Sequence, residues 1–432
     1  MSKCCDKSDI FVRNHRDMKI AFITETFPPE INGVALTVQS LAYGCRKLGH
    51  QVEITRPKQV GETQSASSRL LVERFVAGTK LPFYRGLQFG HPDYRGLVTH
   101  WRKIRPDGVY VATEGPLGLS AVLAAKKLGI PVVTGLHTRF DDFMRHYGLR
   151  LLSQPAFAFM RLFHNQADAT LVPTNALQTM LLSRGFKCVK LLARAVNTKS
   201  FAPSFRQERL RAAWGCDAQS FAVLHVGRLA PEKNLELCVK AFDALAAAHV
   251  GVKFKMIWVG DGPVKAKLQA ELANDPRHVF CGMLRAEALS AAYASADMFL
   301  FPSLSETFGN VTLEALASGV PVCAFNYAAA SEIIQNGING QTAQFADSDA
   351  FISASVRLTE QVLSGKVNPI DARASVAQLN PLHVAGALIE LLVEIAKTKT
   401  LISHASGSMA QTPGAALNTL NKALSKAGEN PC

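Results

Sequence analysis

The chain has 432 residues, 48% hydrophobic and 19% charged, which is the make-up of a globular protein with two or three domains and excludes a disordered or fibrous chain. The formal charge is +13 and is unevenly spread: residues 1–200 carry 28 Lys+Arg against 14 Asp+Glu, and the remainder is close to neutral. Such an excess fits either an anionic partner, such as a phospholipid surface, or a solvated basic face; no nucleic acid partner is expected, because there is no binding module and no basic-aromatic interleaving.

Residues 1–17 read as a leader. The stretch MSKCCDKSDIFVRNHRDMK lacks the apolar core of a secretory signal, and Cys4 and Cys5 receive no role. The nine cysteines form no C-x-x-C pair and read as reduced residues of a cytoplasmic protein. No apolar run approaches the roughly 20 residues of a membrane span. From Lys19 onward short apolar runs alternate with amphipathic segments. KIAFITE (19–25) is a strand, ALTVQSLAYGCRKLG (35–49) a helix and QVEITRP (51–57) a strand. DGVYVAT (107–113), LGLSAVLAAKKLG (117–129) and PVVTGLH (131–137) follow as strand, helix and strand; ADATLVPT and NALQTMLLSRG repeat the rhythm. The polar stretch 197–219 reads as a linker. Beyond it FAVLHVGRL (221–229), NLELCVKAFDALAAA, KFKMIWVGDG, VKAKLQAELAN, HVFCGML, AEALSAAYASA and DMFLFPS (297–303) restart the alternation. This is the pattern of parallel sheets covered by helices, an α/β fold. The expected division is 18–200, 201–397, with a final helix able to cross back, and a weakly ordered tail over 398–432.

In parallel α/β sheets ligands gather at the carboxyl ends of strands. After the first strand, Asn32-Gly33 stands before a helix, either a simple turn or a point where backbone approaches an anionic ligand. His137 ends the strand 131–137. Arg228 and Lys233 flank a Pro-containing turn before a helix, which is either a surface charge pair or a receptor for a diphosphate. Glu306 lies in a loop and Glu314 in the first turn of a helix starting near Val311. Two carboxylates there suit vicinal hydroxyls, although capping would also explain Glu314. Asp347-Ser348-Asp349 reads as a helix start, with Ser348 or Asp349 as N-cap, rather than as a metal site.

Glu306 and Glu314 resemble the E-x7-E signature of retaining glycosyltransferase family 4. HVGRLAPEKNL is similar to that family's Arg…Lys turn, PPEINGVALT to its Gly-rich donor loop, and GLHTRF to its His-bearing loop; VGDGPVKAKL and FPSLSETFG stand in family order. ATEGPLGLSA and FHNQADATLVPT resemble the branch with GDP-mannose-dependent α-mannosyltransferases and sulfoquinovosyl-diacylglycerol synthases. The resemblance runs from about Met18 to about Lys397. It implies a GT-B fold, two Rossmann-like domains facing across a cleft, with the acceptor on the first and the nucleotide sugar on the second. It implies that Gly33, with Asn32, meets the donor diphosphate, His137 the hexose, and Arg228 and Lys233 the leaving diphosphate. Glu306 would bind hexose hydroxyls beside the amides of Phe308, Gly309 and Asn310, and Glu314 the ribose diol. It further implies transfer without a cofactor, from GDP-mannose or a UDP-sugar to a lipid or glycan acceptor. With Arg228 and Lys233 to take the leaving charge no metal is expected, and the basic first half fits either a cytoplasmic enzyme free in solution or one peripheral on an anionic membrane at the cytoplasmic face. A same-fold epimerase or phosphorylase, or an idle nucleotide-sugar-binding protein, would share much of this pattern. RAVNT (194–198) departs from the family's Arg-Gly-Val-Asp-Thr run at Ala195 and Asn197. Finally, 145–164 interleaves Arg145, His146, Arg150, Arg161 and His164 with apolar residues, as either a core helix or a membrane-interface segment.

Overall fold

The computed structural model describes residues 17–30, 32–59, 62, 67–68, 70–80, 88–137 and 153–409. The leader with Cys4 and Cys5, the segment holding Arg145, His146 and Arg150, and the tail from 410 lie outside the described residues. The chain forms two compact units. The first comprises Met1–Val172, Gln178–Leu192 and the residues from Pro381 on; the second comprises Pro173–Leu177 and Ala193–Asn380.

The first unit holds strands β1 (Lys19–Ile23), β2 (Gln51–Pro57), β3 (Leu71–Val76), β4 (Gly108–Val111), β5 (Val132–Gly135), β6 (Ala169–Val172) and β7 (Val189–Leu191). They pair in the order β7-β6-β5-β4-β1-β2-β3, all parallel, with Ser67–Ser68 added antiparallel at the edge. Helix α1 (Gly33–Lys47) is capped by the Asn32 side chain, which accepts from Ala35 N at 2.8 Å. Helices α2 (Tyr94–Ile104) and α3 (Pro116–Leu128) close one face over Ala21, Ile23, Val109 and Val111, with Trp101 of α2 in that core. Proline opens α3 and left-handed Gly129 ends it, as each residue's backbone preference dictates. Helix α4 (Ser153–His164) and α5 (Asn175–Ser183) flank β6.

The second unit repeats the design with β8 (Ser220–Val226), β9 (Lys253–Val259), β10 (His278–Gly282), β11 (Met298–Phe301), β12 (Val322–Phe325) and β13 (Gly340–Ala343), ordered β10-β9-β8-β11-β12-β13 and parallel throughout. Period-two alternation divides its core. Leu224, Val226, Ile257, Val259, Phe299 and Phe301 face one side, and Val223, Met256, Trp258, Met298 and Leu300 the other. Helices α6 (Glu208–Ala213), α7 (Leu235–Ala248), α8 (Lys265–Glu271), α9 (Ala286–Ala294), α10 (Asn310–Ala317), α11 (Ala328–Ile333), α12 (Ser348–Leu363) and α13 (Pro369–Ala374) cover it. In both units the strand order reverses beside the first strand, the arrangement called Rossmann-like, and that reversal is where loops diverge to leave a crevice.

Residues 197–219 do not behave as a linker. Trp214 is buried in the second core, and Arg211 donates to Ser220 O at 2.6 Å and Ser295 O at 2.8 Å and pairs with Asp297 at 2.8 Å. At the crossover Asn197 takes the place of an acid: its side-chain oxygen accepts from Lys199 N at 3.1 Å and Ser200 N at 3.3 Å. Helix α12 is capped by Asp347, which accepts from Ala350 N at 2.9 Å, and not by Ser348 or Asp349. The last helix, α14 (Pro381–Met409), belongs to the first unit and continues past residue 398. Its face of Val384, Ala385, Leu388, Ile389 and Leu392 is buried, and beyond that face Lys399 reaches Asp168 at 2.7 Å and Ile130 O at 3.2 Å.

Helix α1 receives α14 at Gly44, where an added Cβ would lie 2.6 Å from both Ala385 Cβ and Pro381 O. Gly44→Val is therefore expected to lower the unfolding free energy by about 1–3 kcal/mol. Denaturant unfolding checks this, and a variant as stable as wild type contradicts the packing.

Candidate functional site

In the second unit the loops after β8 and β9 are tied together. Gly227 N donates to Val259 O at 3.0 Å, and Leu229 N to Asp261 O at 3.0 Å. The approach of these loops requires Gly260, which has φ +140° and where a Cβ would stand 1.9 Å from Gly227 O. The chain then makes a 3-10 turn, Pro231–Lys233, and enters α7 through left-handed Asn234. Leu304 N donates to Glu232 O at 2.8 Å, which pins this turn to the loop carrying Glu306.

Lys233 Nζ pairs with Glu306 Oε1, lies 3.5 Å from Ser303 Oγ and sits 5.6 Å from the Phe301 ring centroid. Ser303 Oγ donates to the same Glu306 oxygen at 2.9 Å, and Tyr327 Oη to Ser303 O at 2.8 Å. Arg228 pairs with Glu232. Beneath the turn His225 is fully buried with Nδ1 3.1 Å from Leu300 O; burial, helped by the Lys233 charge, lowers its pKa to about 4, so it is neutral at pH 7.

Glu314 stands apart from these charges. Helix α10 begins at Asn310 after Gly309 (φ +91°), so Glu314 is its fifth residue and lies in the second turn, not the first. Its carboxylate accepts from Tyr293 Oη at 2.9 Å, and burial raises its pKa to about 6 despite that bond. Phe308 is buried and its carbonyl accepts from Ala329 N at 2.8 Å, which fixes the loop in front of α10.

In the first unit Asn32 both caps α1 and donates to Thr26 Oγ1 at 2.6 Å, while Thr26 bonds to Glu30. Gly33 is the first residue of α1. His137, 7% exposed past the end of β5, is oriented by Tyr110 Oη 2.7 Å from its Nε2. Two buried glutamates join them at the strand ends. Glu25 accepts from Leu117 N at 3.1 Å at the start of α3; burial, with the Glu114 charge adding, raises its pKa to about 7. Glu114 is held by His164 Nε2 at 3.2 Å, whose Nδ1 meets Thr134 Oγ1 at 2.7 Å.

The structure thus joins Lys233 to Glu306, holds Arg228 one turn away on Glu232 and leaves Glu314 on a separate partner. Sequence reasoning missed Tyr110, Glu25, Glu114, Glu232, Tyr293 and Ser303. Position at a strand's carboxyl end marked Glu25, Glu114 and Ser303; nothing in the sequence marked the others.

Residues 31–200 match the family model described as Glycosyltransferase Family 4, and residues 220–361 that described as Glycosyl transferases group 1. A GDP-mannose-dependent alpha-mannosyltransferase of Mycolicibacterium smegmatis is 36% identical over 71% of this chain and 79% of its own length. The chain belongs to glycosyltransferase family 4. The sulfoquinovosyl transferase SQD2 of Arabidopsis thaliana is 30% identical over 75% of this chain and 62% of its own. Among solved structures, sucrose-phosphate synthase from Thermosynechococcus elongatus superposes with TM-score 0.69 at 18% identity, covering 88% of this chain and 100% of the other. Anabaena HepE in complex with UDP and glucose superposes with TM-score 0.65 at 20% identity, over 87% and 100%. The family-4 chain therefore has the GT-B fold and is a glycosyltransferase that uses a nucleotide-sugar donor.

The raised Glu314 pKa has a consequence for stability. A carboxyl whose folded pKa exceeds its unfolded value, here about 6 against 4.5, stabilises the fold fully below pH 4.5, and that contribution is lost as pH rises through 6. Glu314→Gln is expected to be about 1–2 kcal/mol more stable than wild type at pH 7.5 and equal to it at pH 4. Urea melts at both pH values check this, and a Gln variant less stable at pH 7.5 refutes it.

Proposed function

We propose that this family-4 glycosyltransferase is a retaining, metal-independent hexosyltransferase. It moves an α-mannosyl group from GDP-mannose to a lipid or glycan acceptor. The observation that carries the chemistry is the Lys233–Glu306 pair at the strand-order reversal of the second unit, with Arg228 on the same turn. The GDP-mannose donor rests on relatives such as the one of Mycobacterium tuberculosis, 34% identical over 79% of its length. A UDP-sugar donor is the second reading, favoured by HepE, which is described with UDP-glucose.

In this reading the second unit takes the donor. Arg228 and Lys233 neutralise the leaving diphosphate, Glu306 accepts from hexose hydroxyls next to the Phe308-Gly309-Asn310 amides, and Glu314 accepts from the ribose diol. The first unit takes the acceptor; the roles of Asn32, Gly33 and His137 toward the donor rest on family resemblance. The acceptor hydroxyl attacks the anomeric carbon on the face that the diphosphate leaves. The glycosidic electron pair goes to the phosphate oxygen, which also takes the acceptor's proton. Positioning and cationic stabilisation supply the catalysis, with no protein nucleophile.

A panel of nucleotide sugars, with and without a chelator, tests this. GDP-mannose should be consumed fastest and the chelator should have no effect. Lys233→Ala should lower the rate roughly 10²–10³-fold, the scale of losing one preorganised charge-stabilising donor. A variant within about threefold of wild type would remove Lys233 from the mechanism, and donor binding without turnover would favour an idle binding protein.

A lipid acceptor at an anionic membrane is the further part of the proposal. Among the described residues no helix is long and apolar enough to cross a membrane. Helix α4 instead exposes Phe159 (49%) and Leu162 (63%) beside exposed Arg161, while Phe157, Met160 and Phe163 face the core. Apolar side chains next to a cation suit a bilayer interface, where each cation adds about 1 kcal/mol toward anionic lipid. Wild type should co-sediment with anionic vesicles at low salt, and Phe159→Ser/Arg161→Glu/Leu162→Ser should not. Equal, negligible binding by both points to a soluble acceptor.

A further inference from the structure

Four charged side chains surround the β8 and β11 loops, and they neutralise each other in pairs: Lys233 with Glu306, and Arg228 with Glu232. Three of them have a place in the proposed reaction, and Glu232 has none. Its placement is nevertheless fixed. It lies inside the 3-10 turn Pro231–Lys233, and its carbonyl accepts from Leu304 N at 2.8 Å, so its backbone is fixed to the Glu306 loop. Its side chain, 12% exposed, reaches back to Arg228, which is 45% exposed. A cation so exposed would hold any phosphate that reached it, and holding the product as firmly as the transition state slows release.

Transfer makes that problem sharper. When the bond between the anomeric carbon and the phosphate oxygen breaks, the electron pair stays on the diphosphate with the acceptor's proton, and once that proton passes to water the product is more anionic than the donor. We infer that Glu232 is the fixed counter-ion that sets how tightly the diphosphate product is held. It is a positioning residue that keeps Arg228 across the turn and subtracts from its charge, so that Arg228 steadies the developing charge yet lets the nucleoside diphosphate leave. This inference rests on the donor-site reading above.

Titration calorimetry of wild type, Glu232→Gln and Glu232→Asp with inorganic pyrophosphate, GDP and UDP tests it. Glu232→Gln keeps an acceptor for Arg228 but loses the charge. It should bind pyrophosphate and the preferred nucleotide about tenfold tighter, with a gap that narrows at high salt. In turnover its kcat and KM for the donor should fall together, with stronger product inhibition. Glu232→Asp restores the charge and should return affinity toward wild type, which a purely structural role would not produce. If wild type binds these anions and Glu232→Gln binds them equally or more weakly, the inference is overturned while the donor site stands. If wild type binds none of the three, the donor-site reading falls and takes this inference with it.

Discussion

The ion pair between Lys233 and Glu306 joins residues 73 apart in sequence, and everything about the second unit's site follows from how they come to meet. β8 and β11 are neighbours only because the strand order reverses there. Their loops leave the sheet side by side, and the backbone bond from Leu304 N to Glu232 O closes the gap between them. A lysine in partly dry surroundings, close to an aromatic face, needs a counter-charge. Glu306, itself held by Ser303, supplies it. The two loops thus meet at low net charge.

The same reversal organises the first unit to a different chemical end. There the strand-end loops bring carboxyls rather than cations: Glu25 at the start of α3 and Glu114 on His164, with the His137 imidazole held by Tyr110. Burial pushes Glu25 up to about 7, so that it can donate as well as accept hydrogen bonds at ordinary pH. One backbone plan therefore carries paired charges at the strand ends of one unit and buried carboxyls at those of the other.

Much of this was readable from residues alone where the signal is local. Alternation of apolar runs and amphipathic segments located β1, β2, β8, β9 and α7 within a few residues, and glycine and proline marked the turns. Arg228, Lys233 and Glu306 stood out because their residue types and order carry chemistry. What escaped were features made by tertiary contact. The stretch 197–219 looked like a linker because its polarity is real, yet Trp214 and Arg211 anchor it through partners some 80 residues on. Glu232 looked like an ordinary turn residue, and Tyr293 like one more apolar helix position. Asp347 rather than its neighbours caps α12 because the cap is chosen by backbone geometry, φ −92° and ψ 105°, which residue type alone does not fix.

Helix α14 imposes an order on biosynthesis. The second unit is nearly contiguous, ending at Asn380, whereas the first unit needs residues that leave the ribosome after it. The part of the protein made first is therefore completed last. Until α14 emerges, the groove at Gly44 and the surface around Gly108, which Leu392 later covers at close contact, are bare apolar ground. A nascent chain in that state presents an unfinished sheet-and-helix layer for the whole time the second unit takes to be translated. Its exposure to aggregation and to chaperones is set by chain topology rather than by the finished protein's stability.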